Sequence, residues 1–117
     1  MRFIALVKYN ENGTPPPKVY LDALAQFGRE AMAAGAMVER GGLYPSVTGS
    51  RVRLSNEKVS VTDGPFTEVK ELIGGYAVYN VRSKQDAIEW ITRFMELAKK
   101  HWPESEFEVE IRQIFDA

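Results

Sequence analysis

Asp63 stands immediately before Gly64-Pro65-Phe66, in the stretch TDGPFTEVKELIGGY that runs from Thr62 to Tyr76. Glycine tolerates positive φ, and proline fixes its own φ while pushing the residue before it away from helix, so Asp63-Gly64-Pro65 reads as a tight turn. A turn so constrained holds a carboxylate in one place. Two readings of Asp63 stand. Poised over a cavity lined by Phe66 and Tyr76, it would act as a catalytic general base or hold a polar substrate group. Spent on the backbone of its own turn, it would be structural.

Glu68, Lys70 and Glu71 follow. A buried Lys70 between two carboxylates would be an acid/base or anion-binding feature, whereas an exposed turn of helix would turn the same spacing into solvated ion pairs. A third cluster is Glu39-Arg40-Gly41-Gly42 with Tyr44. Arg40 could form a plain edge-strand salt bridge, or meet an acidic ligand or pair with Asp63 if the strand borders a cleft, as the family resemblance given below implies. The glycine pair permits a bulge or close backbone approach, but it lacks the strand-GxGxxG-helix context of a phosphate loop. The candidate ligand-binding residues are therefore Arg40, Tyr44, Phe66, Lys70 and Tyr76, grouped around Asp63 as the candidate catalytic residue.

No metal and no cofactor is expected. His101 is the single imidazole and cysteine is absent, which removes thiol nucleophiles, disulfides and thiolate metal sites. A carboxylate-only Mg²⁺ or Ca²⁺ site has no loop signature here, and no Ser-His-Asp or Cys-His set assembles. His101, beside Trp102 and Pro103, suits the terminal carbonyls of a helix. With a formal charge of −1 and Lys99-Lys100 as its one adjacent basic pair, the chain has no field for phosphates, so no nucleic acid is expected. The apolar start Phe3–Val7 stops at Lys8 and reads as a strand rather than a signal peptide. No run reaches the ~20 apolar residues of a membrane span, and a soluble cytoplasmic protein is the expectation.

These residues need a scaffold, and the 117 residues fit a single domain with one core. Phe3 to Tyr9 is apolar on both strand faces, and Asn10–Gly13 with Pro15-Pro16-Pro17 ends it. Tyr20, Leu24, Phe27 and Ala31 recur at helical spacing before Gly35, which predicts a helix over 18–34. A strand is predicted from Met37 to Tyr44. An inserted hairpin follows, formed by Arg51–Leu54 and Val59–Thr62. Tyr76 to Val81 is again apolar on both faces. Ser83 caps a second helix to about Lys100, and Phe107, Val109 and Ile111 alternate with charges in the last strand.

Two-sided apolarity marks the first and third core strands as central and leaves the second and fourth at the edges. Two helices can cover only one face of such a sheet. The other face would expose more apolar surface than a monomer normally shows, and self-association is the simplest remedy, so a homodimer is expected. On the second helix, residues from Trp90 to Ala98 fill an apolar arc of roughly 180°, wider than the ~100° that one sheet requires. Its extra partner is expected to be the hairpin or a second subunit.

This order of segments, with TDGPF and GGY as its distinctive motifs, resembles the YCII-related family, in particular its DGPF subgroup, over nearly the whole chain. The resemblance implies an α+β fold, a ferredoxin-like βαββαβ chain with an inserted β-hairpin, pairing into a dimeric α+β barrel. It also places the Glu39–Tyr44 strand near a cleft, and implies a candidate enzyme with no settled substrate. In the other main branch of the family the candidate catalytic pair is an Asp and a His near the first helix. Lys18 to Gly35 contains no His, so half of that pair is missing. Two functions follow: a homodimer with a small-molecule cleft near the DGPF turn using carboxylate acid/base chemistry, or a non-catalytic dimeric binding or regulatory module.

Overall fold

The two strands apolar on both faces lie side by side at the centre of a four-stranded antiparallel sheet. In the computed structural model, which describes residues 1–116, these are β1 (Arg2–Tyr9) and β5 (Leu72–Asn80). The edges are β2 (Met37–Gly42) and β6 (Phe107–Ile114), giving the order β2-β5-β1-β6. Between β2 and β5 the chain makes a short 3₁₀ turn (Ser46–Thr48) and a separate hairpin of β3 (Ser50–Ser55) and β4 (Lys58–Asp63). The fold is thus α+β and ferredoxin-like, with the expected strand order. The sheet of the single chain is open and does not close into a barrel.

Two helices cover one face. Helix α1 (Lys18–Ala33) ends at Gly35, whose φ of 75° is open to glycine at no steric cost. Helix α2 (Lys84–His101) starts where the Ser83 side chain accepts a hydrogen bond from the Asp86 N–H at 3.1 Å. Phe3, Ala5, Phe27, Ala31, Met37, Tyr79 and Ile91 are buried between helices and sheet. Part of the broad apolar arc of α2 meets α1: the Phe27 ring lies 6.0 Å from Trp90 and 6.1 Å from Phe94. The helical wheel alone does not show this contact, because two helices on one sheet also need surface for each other.

Two boundaries also differ from expectation. β2 stops at Gly42, leaving Tyr44 outside the strand, and β5 begins at Leu72 rather than Tyr76. The earlier start is possible because a register shift between Val7 and Lys8 lets β1 pair on either side of Gly74. Glu68 lies in a turn, Lys70 in a bend and Glu71 in irregular chain before β5, and none is on a helix.

Among the described residues no layer covers the opposite face of the sheet. Leu6 stands opposite Tyr76 and Ile4 opposite Val78, so these four half-buried side chains share that face. Lys8 pairs with Glu110 beside them at 2.6 Å. The molecule measures 45 × 39 × 18 Å, a thickness that fits one sheet and one helical layer at their ~10 Å spacing. The hairpin adds a second bare surface. Val52 faces Val61 and Leu54 faces Val59 across it, and all four are between 66% and 73% exposed.

Candidate functional site

A missing set of side chains makes an apolar cavity. Gly42 faces Gly75 across β2 and β5, and Gly75 faces Val7 on β1, so this strip of sheet under α1 has no bulk above it. A cavity of about 430 Å³ opens there, within the ~300–1,000 Å³ range of small-molecule pockets. Its wall is largely apolar, with Leu24 and Phe27 from α1, Ile91 and Phe94 from α2, and Met37 and Ala77 from the sheet. The glycines are not interchangeable. A Cβ on Gly75 would lie 3.2 Å from the Gly41 carbonyl oxygen, whereas one on Gly42 would meet nothing within 4 Å.

Arg40 is the one charged side chain in this lining among the described residues. It faces Ala77 on the helix-covered side of the sheet, and its guanidinium enters the notch that Gly28 leaves in α1. A Cβ on Gly28 would be 1.4 Å from Arg40 Nη1, so glycine at this point of the helix is what admits the side chain. Tyr79 and Tyr20 supply phenols. Burial pushes each hydroxyl's pKa up to about 12, and at Tyr79 the charges of Arg40 and then Arg93 pull the other way. Both phenols are neutral hydrogen-bond groups at physiological pH.

Tyr76 belongs to the same lining, but its ring crosses to the uncovered face. A Cβ on Gly41 would lie 2.6 Å from the Tyr76 ring. There the Glu39 carboxylate raises the Tyr76 pKa, chiefly by a hydrogen bond to the neutral phenol and also by its charge.

The other sequence-predicted residues fall elsewhere. Asp63 ends β4, is exposed, and accepts a hydrogen bond from Ser50 Oγ at 2.7 Å. It lines neither cavity described here. Gly64 continues the corner, donating its N–H to the Gly49 carbonyl at 2.8 Å. Phe66 donates its N–H to Ser46 Oγ at 3.2 Å, and the Arg51 guanidinium covers its ring at 3.8 Å. Ser46 in turn donates to both oxygens of Glu11, so the DGPF corner ties the hairpin base to the loop after β1. Tyr44 is 87% exposed and lines neither cavity.

Lys70 and Glu71 line a second, larger cavity of about 780 Å³, which shares Val7, Tyr20, Leu24 and Gly74 with the first. Glu68 is drawn away to an ion pair with Arg51, whose hydrogen bond and charge hold its carboxyl below the usual range. The Lys70-centred triad is therefore split. Trp102 also borders the second cavity, with its buried indole N–H lacking an acceptor among the described residues. His101 is half-buried at the last turn of α2. Among the described residues no three His, Asp or Glu side chains come together as metal ligands, and no helix is long and apolar enough to cross a membrane.

Sequence reasoning found Arg40 and Tyr76 but missed Gly28, Tyr20 and Tyr79. Gly28 had a usable signal, since glycine inside a helix costs about 1 kcal/mol relative to alanine and so suggests a close approach. The two tyrosines had none, because as periodic apolar positions they look like any core residue. A family model, the YCII-related domain, matches residues 1–106. A search of curated proteins found no match.

Proposed function

The chain belongs to the YCII-related domain family, and on that footing we propose that it is a dimeric small-molecule-binding module whose ligand occupies the glycine-floored cleft beside Arg40. The observation that carries this reading is the cavity itself: about 430 Å³ of apolar space with a single charged side chain at its wall. A pocket of that kind gains affinity from apolar contact and orientation from its few polar groups. Arg40 and the phenols of Tyr20 and Tyr79 are those groups, while Lys70 stands at the adjoining second cavity.

Proton transfer by Asp63 is the weaker reading. Its carboxylate is engaged by Ser50 and stands outside the lining of both cavities. A general base must come within hydrogen-bond reach of the proton it takes, roughly 2.6–3.2 Å. The DGPF segment then serves as a corner that fixes the hairpin.

Dimerisation rests on the bare sheet face. Ile4, Leu6, Tyr76 and Val78 present apolar surface with no layer over it, and a second copy packed face to face would cover both at once. That pairing would complete the two-chain α+β barrel expected from the family resemblance.

The test is a thermal-shift screen of a small-molecule library on wild type and Asp63→Asn. A binding module with its site at Arg40 has the same ligands stabilising both proteins by the same amount. Loss of those shifts in a folded Asp63→Asn protein would return the site to the DGPF turn.

A further inference from the structure

Arg40 is a cation without a counter-charge. Among the described residues it enters no ion pair, as is true of several surface cations, but it is the one cation that lines the apolar cavity, and Arg93 close by has its carboxylate partner in Glu30. Arg40 is exposed, and its guanidinium lies against the notch at Gly28. Among the described residues the cavity it borders has no acidic residue in its lining. A planar fork of donors, apolar walls and an absent acid together describe the complement of one kind of molecule.

We propose that the cleft binds a small apolar monocarboxylate, its carboxylate paired with the Arg40 guanidinium and its hydrocarbon or aryl body lying over Gly42 and Gly75 against Phe27 and Phe94. The inference rests on the cleft reading above and adds the ligand class to it. Arginine suits the role because its fork matches both oxygens of a carboxylate, which a lysine ammonium does not. A single negative charge fits better than a phosphate dianion, since the nearby Arg93 is already engaged: Glu30 lies 3.6 Å from it and the Trp90 ring 4.5 Å. Tyr79, whose phenol feels the charge of Arg40, lines the same cavity and offers a neutral donor.

The experiment uses a matched pair of probes, phenylacetate and phenylacetamide, which share shape and differ in charge. Their affinities are measured by calorimetry on wild type, Arg40→Gln and Arg40→Lys, with circular dichroism confirming the fold of each. The expected result is phenylacetate binding at least about tenfold tighter than the amide to wild type, a difference of about 1.4 kcal/mol. Arg40→Gln should erase that preference by lowering the acid's affinity more than the amide's, and Arg40→Lys should keep part of it. The proposal is overturned if the amide binds as tightly as the acid, if Arg40→Gln keeps the preference, or if neither probe binds wild type at about 10 mM. None of these failures removes the cleft, which the library screen judges independently through ligands of any class.

Discussion

A Cβ at residue 64 would sit 1.7 Å from the Ser46 carbonyl oxygen, so the DGPF corner accepts only glycine there. The clash is with backbone, which cannot step aside like the tip of a flexible side chain. Gly64→Ala is expected to lower stability by about 1–3 kcal/mol, read as a shift in denaturant midpoint. Asp63→Asn should change it by less than about 1 kcal/mol, because an exposed amide oxygen can still accept from Ser50. Alkali offers a second check. The ordinary tyrosine pKa is 10.0, and burial pushes Tyr20 and Tyr79 up to about 12. Between those values the folded chain holds protons that the unfolded chain releases, so stability falls as pH rises through that window. Ultraviolet titration at a pH near 11 should leave Tyr20 and Tyr79 un-ionised until unfolding. Tyr79→Phe should remove part of the alkaline loss. At this scale the sequence was legible for Arg40, a cation beside two glycines. It was not legible for Asp63, where the turn chemistry is equally compatible with a poised carboxylate and with one hydrogen-bonded to Ser50.

Elements were legible wherever solvent leaves an alternating signature. Phe3–Tyr9 and the later part of β5 are apolar on both faces and lie at the centre of the sheet, whereas β6, which alternates, lies at an edge. Gly35 and Ser83 marked a helix end and a helix start through their backbone requirements. Ser83→Ala should therefore cost about 1 kcal/mol in thermal or chemical unfolding, with Ser83→Gly costing less. Packing between elements was not legible. That α1 shields α2, and that Gly28 lies beneath Arg40, depend on the rotation of one helix over the sheet, which periodicity alone leaves undetermined. The hairpin is the element least able to support itself, since two isolated strands are marginal in water. Its anchor is the Glu11–Ser46 contact, with oxygen–donor distances of 2.5 and 2.8 Å. Glu11→Ala should speed amide exchange across β3 and β4 while leaving β1 and β5 protected. Uniform loss of protection over the whole chain would contradict that anchoring role.

Over the whole molecule, the layer count governs assembly. One sheet with helices on one side leaves Ile4, Leu6, Tyr76 and Val78 without a cover, and the 18 Å thickness leaves no room for a hidden one. Light scattering at micromolar concentration should report a dimer. Leu6→Lys, which puts an unpaired charge on that face, should convert it to a folded monomer, since leaving a buried charge without a partner costs several kcal/mol. The cleft belongs to the same scale, because β1, β2, β5 and both helices all border it. Gly42 gives the most direct access to it, for a side chain there would meet nothing within 4 Å and would project from the sheet face that α1 covers. Gly42→Leu should keep the fold and fill the cavity. The decisive measurement is the thermal shift that library ligands produce in wild type, repeated in folded Gly42→Leu. The cleft account predicts that the shifts disappear; undiminished shifts would place the ligand elsewhere and contradict it.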